Sequence, residues 1–459
     1  MIKIFSLIKK FIIFILTYHL RNFLFFFIII IPFSLKGLFL SYIYPHYAIQ
    51  DQILTVYILG SGFLYNTKVI FLGPDSTTIV PIEIKADWNK IECSLDLGYS
   101  IYGNYSVIVF NNNFSDTMWK CFRITKKSYF QGQWVETIIG LGEAPMLDVE
   151  LMDGDHDNLV EVYAACYDDN LYHFKFEHSK WNISLTKVST WGLNGVVGGD
   201  FDNNGLYEIY VACRDHCIYQ IFYSGLAWEL QKVGELTDEV WSLYTGDGNN
   251  NGIMEIYAAC EDSQIYQFSH INGKWEGEVI GMGLDEMESV TVGDGDNDGR
   301  LEVYAACDDN SIYRFQYSQK QWCTEIIGSG SNQMEDVCIG DGDNDGTLEL
   351  YTACRDRYVY QFKYENGQWN KNDLGCGQDG ILSVCVGDGN NDGFSEIYAV
   401  GFDGFIYKFE CNRNSWQKEI IGFTNSSLRG IEVGDVDNDG FNEIIVSSLN
   451  SKIYMYKLY

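Results

Sequence analysis

The chain has 459 residues and carries 63 Asp and Glu against 31 Lys and Arg, a formal net charge of −32. So acidic a balance excludes nucleic acid as a partner, because phosphate recognition needs a basic footprint. Aromatic residues reach 15% with 45 Gly and only 5 Pro, the profile of a β-rich protein with many turns, and the length allows more than one domain.

Residues 1–43 are a different material from the rest. Lys3, Lys9, Lys10 and Arg21 precede a dense apolar run from Phe23 to Phe33. Basic residues ahead of an apolar core form the pattern of a secretory signal or a signal anchor. The unbroken run is shorter than the roughly 20 residues a membrane span needs. Residues 22–43 as a whole are long enough, with Lys36 inside them, and no small-x-small cleavage site follows. An uncleaved membrane anchor is therefore preferred over a cleaved signal. In both cases the basic end stays in the cytoplasm and the remainder is exported, to the extracellular face of the membrane or into the medium.

Residues 45–127 read as short alternating strands, among them Ile53 to Ile58, Lys68 to Phe71, Thr78 to Ile82 and Tyr105 to Phe110. Turn signals separate them at Gly60-Ser61-Gly62, Gly73-Pro74-Asp75-Ser76 and Asn111-Asn112-Asn113. Several short strands with regular turns predict a small β-sandwich. Gly60-Ser61-Gly62-Phe63 and Gly103-Asn104-Tyr105-Ser106-Val107-Ile108-Val109 resemble the IPT/TIG type of immunoglobulin-like domain, and that resemblance implies a spacer or stalk. Cys93 and Cys121 fall within it, but distance along the chain does not establish disulfide geometry.

From residue 128 to 459 the chain is a repeat. An Asp recurs at 153, 200, 247, 294, 341, 388 and 435, every step being 47 residues. A Trp recurs in the same phase at 134, 181, 228, 275, 322, 369 and 416, and a Tyr at 172, 219, 266, 313, 360, 407 and 454. Each copy reads as four short strands, which is one blade of a β-propeller. The last copy stops after its third strand, and a surplus Trp strand, residues 134–140, precedes the first full copy. The predicted fold is all-β: a seven-bladed propeller whose N-terminal strand closes the last blade and removes the open edges, preceded by the sandwich and the apolar segment.

The recurrent Asp opens an acidic loop between the first and second strands of each copy. In the fifth copy it is Gly340-Asp341-Gly342-Asp343-Asn344-Asp345-Gly346-Thr347-Leu348-Glu349. Oxygen ligands at positions 1, 3 and 5, a Gly at 6, a carbonyl at 7 and a carboxylate at 9 are what a short loop needs to wrap one Ca²⁺. The candidate ligands are Asp153, Asp155, Asp157 and Glu161 in copy one; Asp200, Asp202, Asn204 and Glu208 in copy two; Asp247, Asn249, Asn251 and Glu255 in copy three. They continue as Asp294, Asp296, Asp298 and Glu302 in copy four; Asp341, Asp343, Asp345 and Glu349 in copy five; Asp388, Asn390, Asp392 and Glu396 in copy six; Asp435, Asp437, Asp439 and Glu443 in copy seven. The carbonyls of Leu159, Leu206, Ile253, Arg300, Thr347, Phe394 and Phe441 would complete the shells. These loops hold 24 of the 63 carboxylates. Up to seven structural Ca²⁺ are expected, with copy three the weakest because it offers only two carboxylates. Copy one carries Asn158 in place of the Gly, and Asn tolerates a left-handed backbone better than most residues.

Asp-x-Asp-x-Asp-Gly-x-x-Glu between the first two strands of a blade resembles the FG-GAP/VCBS repeat family, which includes the integrin α-subunit head. That resemblance implies a propeller with bound calcium. The chain departs from the integrin pattern, with Tyr-Ala-Ala-Cys after the loop where integrins have Gly-Ala-Pro, so no integrin ligand contacts are carried over.

Thirteen Cys do not form a spaced disulfide framework. Five of them, Cys166, Cys213, Cys260, Cys307 and Cys354, recur at one place and read as buried free thiols, since free Cys packs as a small hydrophobe. With filled shells, the ions would stiffen the scaffold rather than act as Lewis acids, and the variable loops on the opposite face are where binding is expected. The expected function is a surface-displayed binding or adhesion scaffold, without enzyme activity, for an extracellular protein or glycan. A secreted polysaccharide lyase or hydrolase is the alternative. The repeated Trp are expected between blades rather than against sugars. A cluster of basic and acidic groups in the central depression would favour chemistry, and a broad aromatic face would favour binding.

Overall fold

The computed structural model describes residues 38–459 except 45–46, 51, 99, 112–113, 127–131, 201–206, 225–226 and 414. The expected anchor lies outside the described residues up to position 37, and its last part is something else. Phe39–Tyr44 is a strand paired antiparallel with Ile53–Ser61. Leu38, Leu40 and Ile43 are buried in the core of the first domain, so this stretch is part of its sheet. Among the described residues no helix is long and apolar enough to cross a membrane.

The first domain has two facing sheets. One orders Phe39–Tyr44, Ile53–Ser61, Lys90–Asp96 and Glu83–Ala86; the other orders Tyr47–Ile49, Ser115–Thr125, Gly103–Phe110, Lys68–Leu72 and Thr78–Ile79. Alternation does the sorting, because successive side chains of a strand face opposite sides. Val56, Ile58, Ile91 and Leu95 from one sheet meet Phe71, Tyr105, Val107 and Phe122 from the other, all fully buried. Cys93 and Cys121 stay free thiols.

The repeat region folds as propeller-type, four-stranded antiparallel sheets. Copy one is Met146–Met152, Glu161–Cys166, Asn170–Glu177 and Lys180–Lys187 in that order. Six copies each supply four strands of their own. The last, Leu428–Gly434, Glu443–Ser448 and Lys452–Leu458, takes Trp134–Leu141 as its fourth strand, paired from Trp134 opposite Leu458 to Leu141 opposite Lys452. The first strands of successive copies are neighbours, and that of the last copy adjoins that of the first. The second strands lie between sheets on both sides, and every residue of Glu161–Cys166, Glu255–Cys260 and Glu302–Cys307 is buried. Close packing there admits only small residues at the Ala-Ala-Cys positions. All thirteen Cys are free, and Cys323 alone is exposed.

Two devices join neighbouring copies. Five of the seven repeated Trp meet edge-on the Tyr of the preceding copy's second strand: Tyr163 with Trp228, Tyr210 with Trp275, Tyr257 with Trp322, Tyr304 with Trp369 and Tyr351 with Trp416, at ring-centre distances of 5.9 to 6.2 Å. Such pairs contribute about 0.5–1.5 kcal/mol beyond their burial. The Trp are joints between sheets.

The second device is the Asn at loop position 4. Asn250 donates from Nδ2 to the Leu301 carbonyl (2.8 Å) and accepts at Oδ1 from the Leu301 N–H (2.9 Å). Asn297 pairs likewise with Leu348, Asn344 with Ser395 and Asn391 with Asn442. Asn438 of the last copy pairs in the same manner with Val160 of the first (3.1 and 3.0 Å). These Asn have φ between 54° and 62°, a left-handed conformation that Asn adopts more readily than most residues.

Asn438→Ala leaves the N–H and carbonyl of Val160 without partners at the junction of the first and last copies. It is expected to cost about 1–3 kcal/mol, read as a lower denaturation midpoint with an unchanged slope. An unchanged midpoint would show that this pair does not hold the junction.

Candidate functional site

The acidic loops share one internal architecture. The first Asp accepts from backbone N–H groups further along: Asp341 Oδ1 from Asp345 (2.9 Å) and Oδ2 from Gly346 (3.0 Å), with the same pattern at Asp247, Asp388 and Asp435. The turn needs a positive φ at position 6, met by Gly346 at 91° and by Asn158 at 74° in copy one. The closing Glu is wholly buried at 161, 255, 302, 349, 396 and 443. At all of these but Glu443, which has Ile445 there, a Tyr two residues later on the same strand face donates to it, as in Tyr398 to Glu396 (2.7 Å) and Tyr304 to Glu302 (3.0 Å). Burial, followed by the neighbouring carboxylates, pushes Glu161 and Glu302 up to about 9.

The ligand positions predicted from spacing converge. Asp153, Asp155, Asp157 and Glu161 bring carboxylate oxygens within 4.8 Å of one another, as do Asp435, Asp437, Asp439 and Glu443, and Asp294, Asp296 and Glu302. In copy two, Asp202 and Asn204 lie outside the described residues, while Asp200 and Glu208 flank that gap. The donor sets are hard oxygens of the kind that suit Ca²⁺, and Asp294 Oδ1 is buried with no hydrogen-bond partner. The copies differ in what else reaches the cage. Lys175 Nζ lies 2.5 Å from Asp155, 2.6 Å from Asp157 and 3.5 Å from Glu161. Lys363 and Lys457 make the same approach in copies five and seven. In copy four Arg314 reaches only Asp296 among the loop carboxylates (2.7 Å). In copies three and six side-chain amides reach the closing Glu: Asn249 and Asn251 donate to Glu255 (2.9 and 2.7 Å), and Asn390 donates to Glu396 (2.7 Å), while Lys408, in the Arg314 position of copy six, pairs with Glu410 and Glu419 instead. His173 brings a ring nitrogen within 4.8 Å of Asp155 and Glu161 oxygens; it stacks flat on Tyr163 at 4.7 Å, and burial lowers it to about 4, so the ring is neutral.

The sandwich is not a detached spacer. Its strand Ser115–Thr125 places Lys120 on Asp153 and Arg123 on Asp435 (2.7 Å), and the Lys126 N–H donates to the Gly440 carbonyl (2.8 Å). Asn89 donates to the Gly299 carbonyl (3.0 Å), and Leu59 joins the apolar cluster around Leu301 and Val303. The acidic loops thus face a domain that brings Lys, Arg and apolar contacts to them. No sequence period announces these residues, since the sandwich is not repeated.

Between the sandwich and the first strands lies an axial cavity of about 550 Å³, lined by Asp148, Glu150, Asp336 and Glu432 and bounded on the loop side by Tyr42, Met118, Lys120 and Arg123. Asp336 is well partnered, accepting from Ser289 (2.7 Å), Ser383 (2.9 Å) and the Val384 N–H (3.0 Å). Burial raises Asp148 to about 7 and, with Asp148 and Asp336 nearby, Glu432 to about 8. Toward the opposite face, Glu286, Glu288 and Asp308 gather within 4.8 Å, with Arg355 paired to Glu335 beside them. On that face Arg214 lies over the rings of Tyr167 (5.2 Å) and Trp241 (5.5 Å) and pairs with Glu239 (2.7 Å). Trp191 stands next to them, 67% exposed, and the adjacent Gly192 carbonyl accepts from the Arg214 N–H (3.1 Å).

Residues 294–352 match the FG-GAP-like repeat family. The match runs from Asp294, the first residue of the fourth loop, through the fifth loop into the second strand of copy five. Comparison with curated proteins finds no match. The matched repeat and the four-stranded sheets agree on a propeller-type scaffold, which suits binding or adhesion.

The cavity carboxylates give a pH dependence of defined sign. Their folded affinity for protons exceeds the unfolded one, so between about pH 4 and pH 8 the folded chain binds more protons and stability falls as pH rises. The melting temperature is expected to be higher near the lower end of that window, and Glu432→Gln is expected to flatten the difference. An unchanged slope in the variant would rule out Glu432 as a contributor.

Proposed function

We propose that the seven sheets are the blades of a closed, calcium-stabilised propeller, that the first domain is immunoglobulin-like, and that the chain is displayed outside the cell to bind a protein or glycan. The binding surface is the face opposite the acidic loops. The observation that carries this reading is the pairing of faces: one is engaged by the sandwich, and the other presents Tyr167, Trp191 and Trp241 around Arg214. Aromatic and Arg groups are the residues that dominate binding energy at interfaces, and an aromatic face with hydrogen-bonding loops also suits sugar rings. Calcium in the loops would be held by the Asp and Glu set, with Asp294, Asp296, Asp298 and Glu302 and with Asp388, Asn390, Asp392 and Glu396 as the cages least filled from within. Its contribution is to neutralise buried carboxylates and tie each loop to its blade.

The enzyme alternative draws on one feature, the gathered Glu286, Glu288 and Asp308. Burial, with Glu335 adding repulsion, raises Glu288 to about 8, and a carboxylic acid kept protonated beside ionised neighbours is the arrangement of general acid catalysis.

Chelation of calcium from the full chain is expected to lower its melting temperature, and re-addition to restore it; an indifferent melt would remove the metal from the proposal. Screening the full chain against glycans and cell-surface proteins is expected to yield a ligand whose affinity falls about tenfold or more in Trp191→Ala, as for an aromatic anchor. Binding that survives the substitution would place the site elsewhere, and a ligand recovered cleaved would favour the enzyme.

A further inference from the structure

The third strand of each copy carries one position that lies beside the acidic loop. It is Lys175, Phe222, Ser269, Gln316, Lys363, Glu410 and Lys457 in copies one to seven. Where it is Lys, the ammonium sits inside the loop. Lys363 Nζ lies 2.8 Å from Asp343, 2.6 Å from Asp345 and 3.0 Å from Glu349; Lys457 Nζ lies 2.7 Å from Asp437, 2.9 Å from Asp439 and 2.7 Å from Glu443. Only 11% of the Lys175 and Lys363 side chains and 6% of Lys457 are exposed. The carboxylates reached are those at positions 3, 5 and 9, and an ammonium has three donors to offer them. A Ca²⁺ bound to the same oxygens at about 2.3–2.6 Å would lie where the nitrogen lies.

The sequence supplies a second, independent observation. The Lys occurs only in copies with the full set of three Asp and one Glu. Copies two, three and six, in which Asn replaces one or two of the Asp, have Phe, Ser and Glu there. Copy four has the full set and Gln316, and its cation comes from Arg314, two residues earlier on the strand, which holds Asp296 alone among the loop carboxylates. One cation against four carboxylates leaves the same formal charge as the three carboxylates of copies two and six. Copy six has Lys408 at the strand position of Arg314, but that ammonium pairs with Glu410 and Glu419 rather than with the loop carboxylates.

We propose that Lys175, Lys363 and Lys457 are built-in counter-ions that occupy the loops of copies one, five and seven in place of a divalent metal, so that only the remaining loops are open to calcium. This rests on the loops being cation cages and divides them into a tethered class and a metal class. The tethered class needs no metal to keep its buried Glu compensated, and it leaves copies one and seven, the two ends of the repeat region, independent of calcium supply.

The test is the calcium bound per full chain, measured by elemental analysis after equilibrium dialysis, for the parent and for the triple variant Lys175→Gln, Lys363→Gln and Lys457→Gln, which takes the residue copy four already has. Three additional ions in the variant are expected. No additional ion overturns the proposal, whether the parent binds seven or none. A parent without calcium and a variant with three would uphold the tethered lysines while removing calcium from the other loops. Should the triple variant fail to fold, single Lys363→Gln is expected to gain one ion and a melting temperature that falls on chelation and recovers with calcium, and an unchanged ion count there is equally decisive against it.

Discussion

A carboxylate with no exposure to water closes each fully described acidic loop, and the rest of the molecule is arranged around keeping it compensated. An isolated charge so buried costs several kcal/mol even after the surroundings relax. The chain answers with a Tyr hydroxyl two residues along the strand in all of these copies but the seventh, amides in copies three and six, and ammonium groups in copies one, five and seven. The same constraint explains where a protein of net charge −32 spends its few cations. Lys120 and Arg123 from the sandwich go to Asp153 and Asp435.

Fixing the loops also fixes the relation between copies, because in copies three to seven the Asn that shapes the turn hydrogen-bonds to the backbone that enters the next copy's second strand. Loop geometry and sheet-to-sheet spacing are then one variable. This is a physical reason for the unvarying 47-residue step: an inserted residue between loop and strand would break a two-way hydrogen bond and shift a Trp off the Tyr it meets edge-on.

Much of this was legible in the sequence because repetition multiplies weak signals. The four-stranded copies, the loop residues, the interlocking Trp and the strand that completes the last sheet all follow from phase. Other features had no such amplifier. The strand Phe39–Tyr44 was hidden in the tail of an apolar run, where its inward Leu40 and Ile43 look no different from their neighbours. Lys120, Arg123 and Asn89 belong to an unrepeated domain, so nothing in their spacing marks the loops they touch. Asn250, Asn344 and Asn438 looked like filler between ligands, because their partners lie 51 or 278 residues away. The third-strand Lys were visible as letters in phase, but only the hairpin that folds the third strand beside the loop shows where they end. Arg214 and Trp191 sit in loops that differ from copy to copy, and variation leaves no pattern to read.

The cysteines carry a consequence for how the chain meets an oxidant. Burial raises Cys166, Cys260, Cys307 and Cys354 to about 12, and the thiolate is the form that reacts. The repeated thiols are thus chemically quiet inside their strands. Cys323, on the outermost strand of copy four, is the one exposed thiol. Oxidation is therefore expected first at this outward position, where it can couple two molecules edge to edge, ahead of the part-buried Cys376 and Cys411.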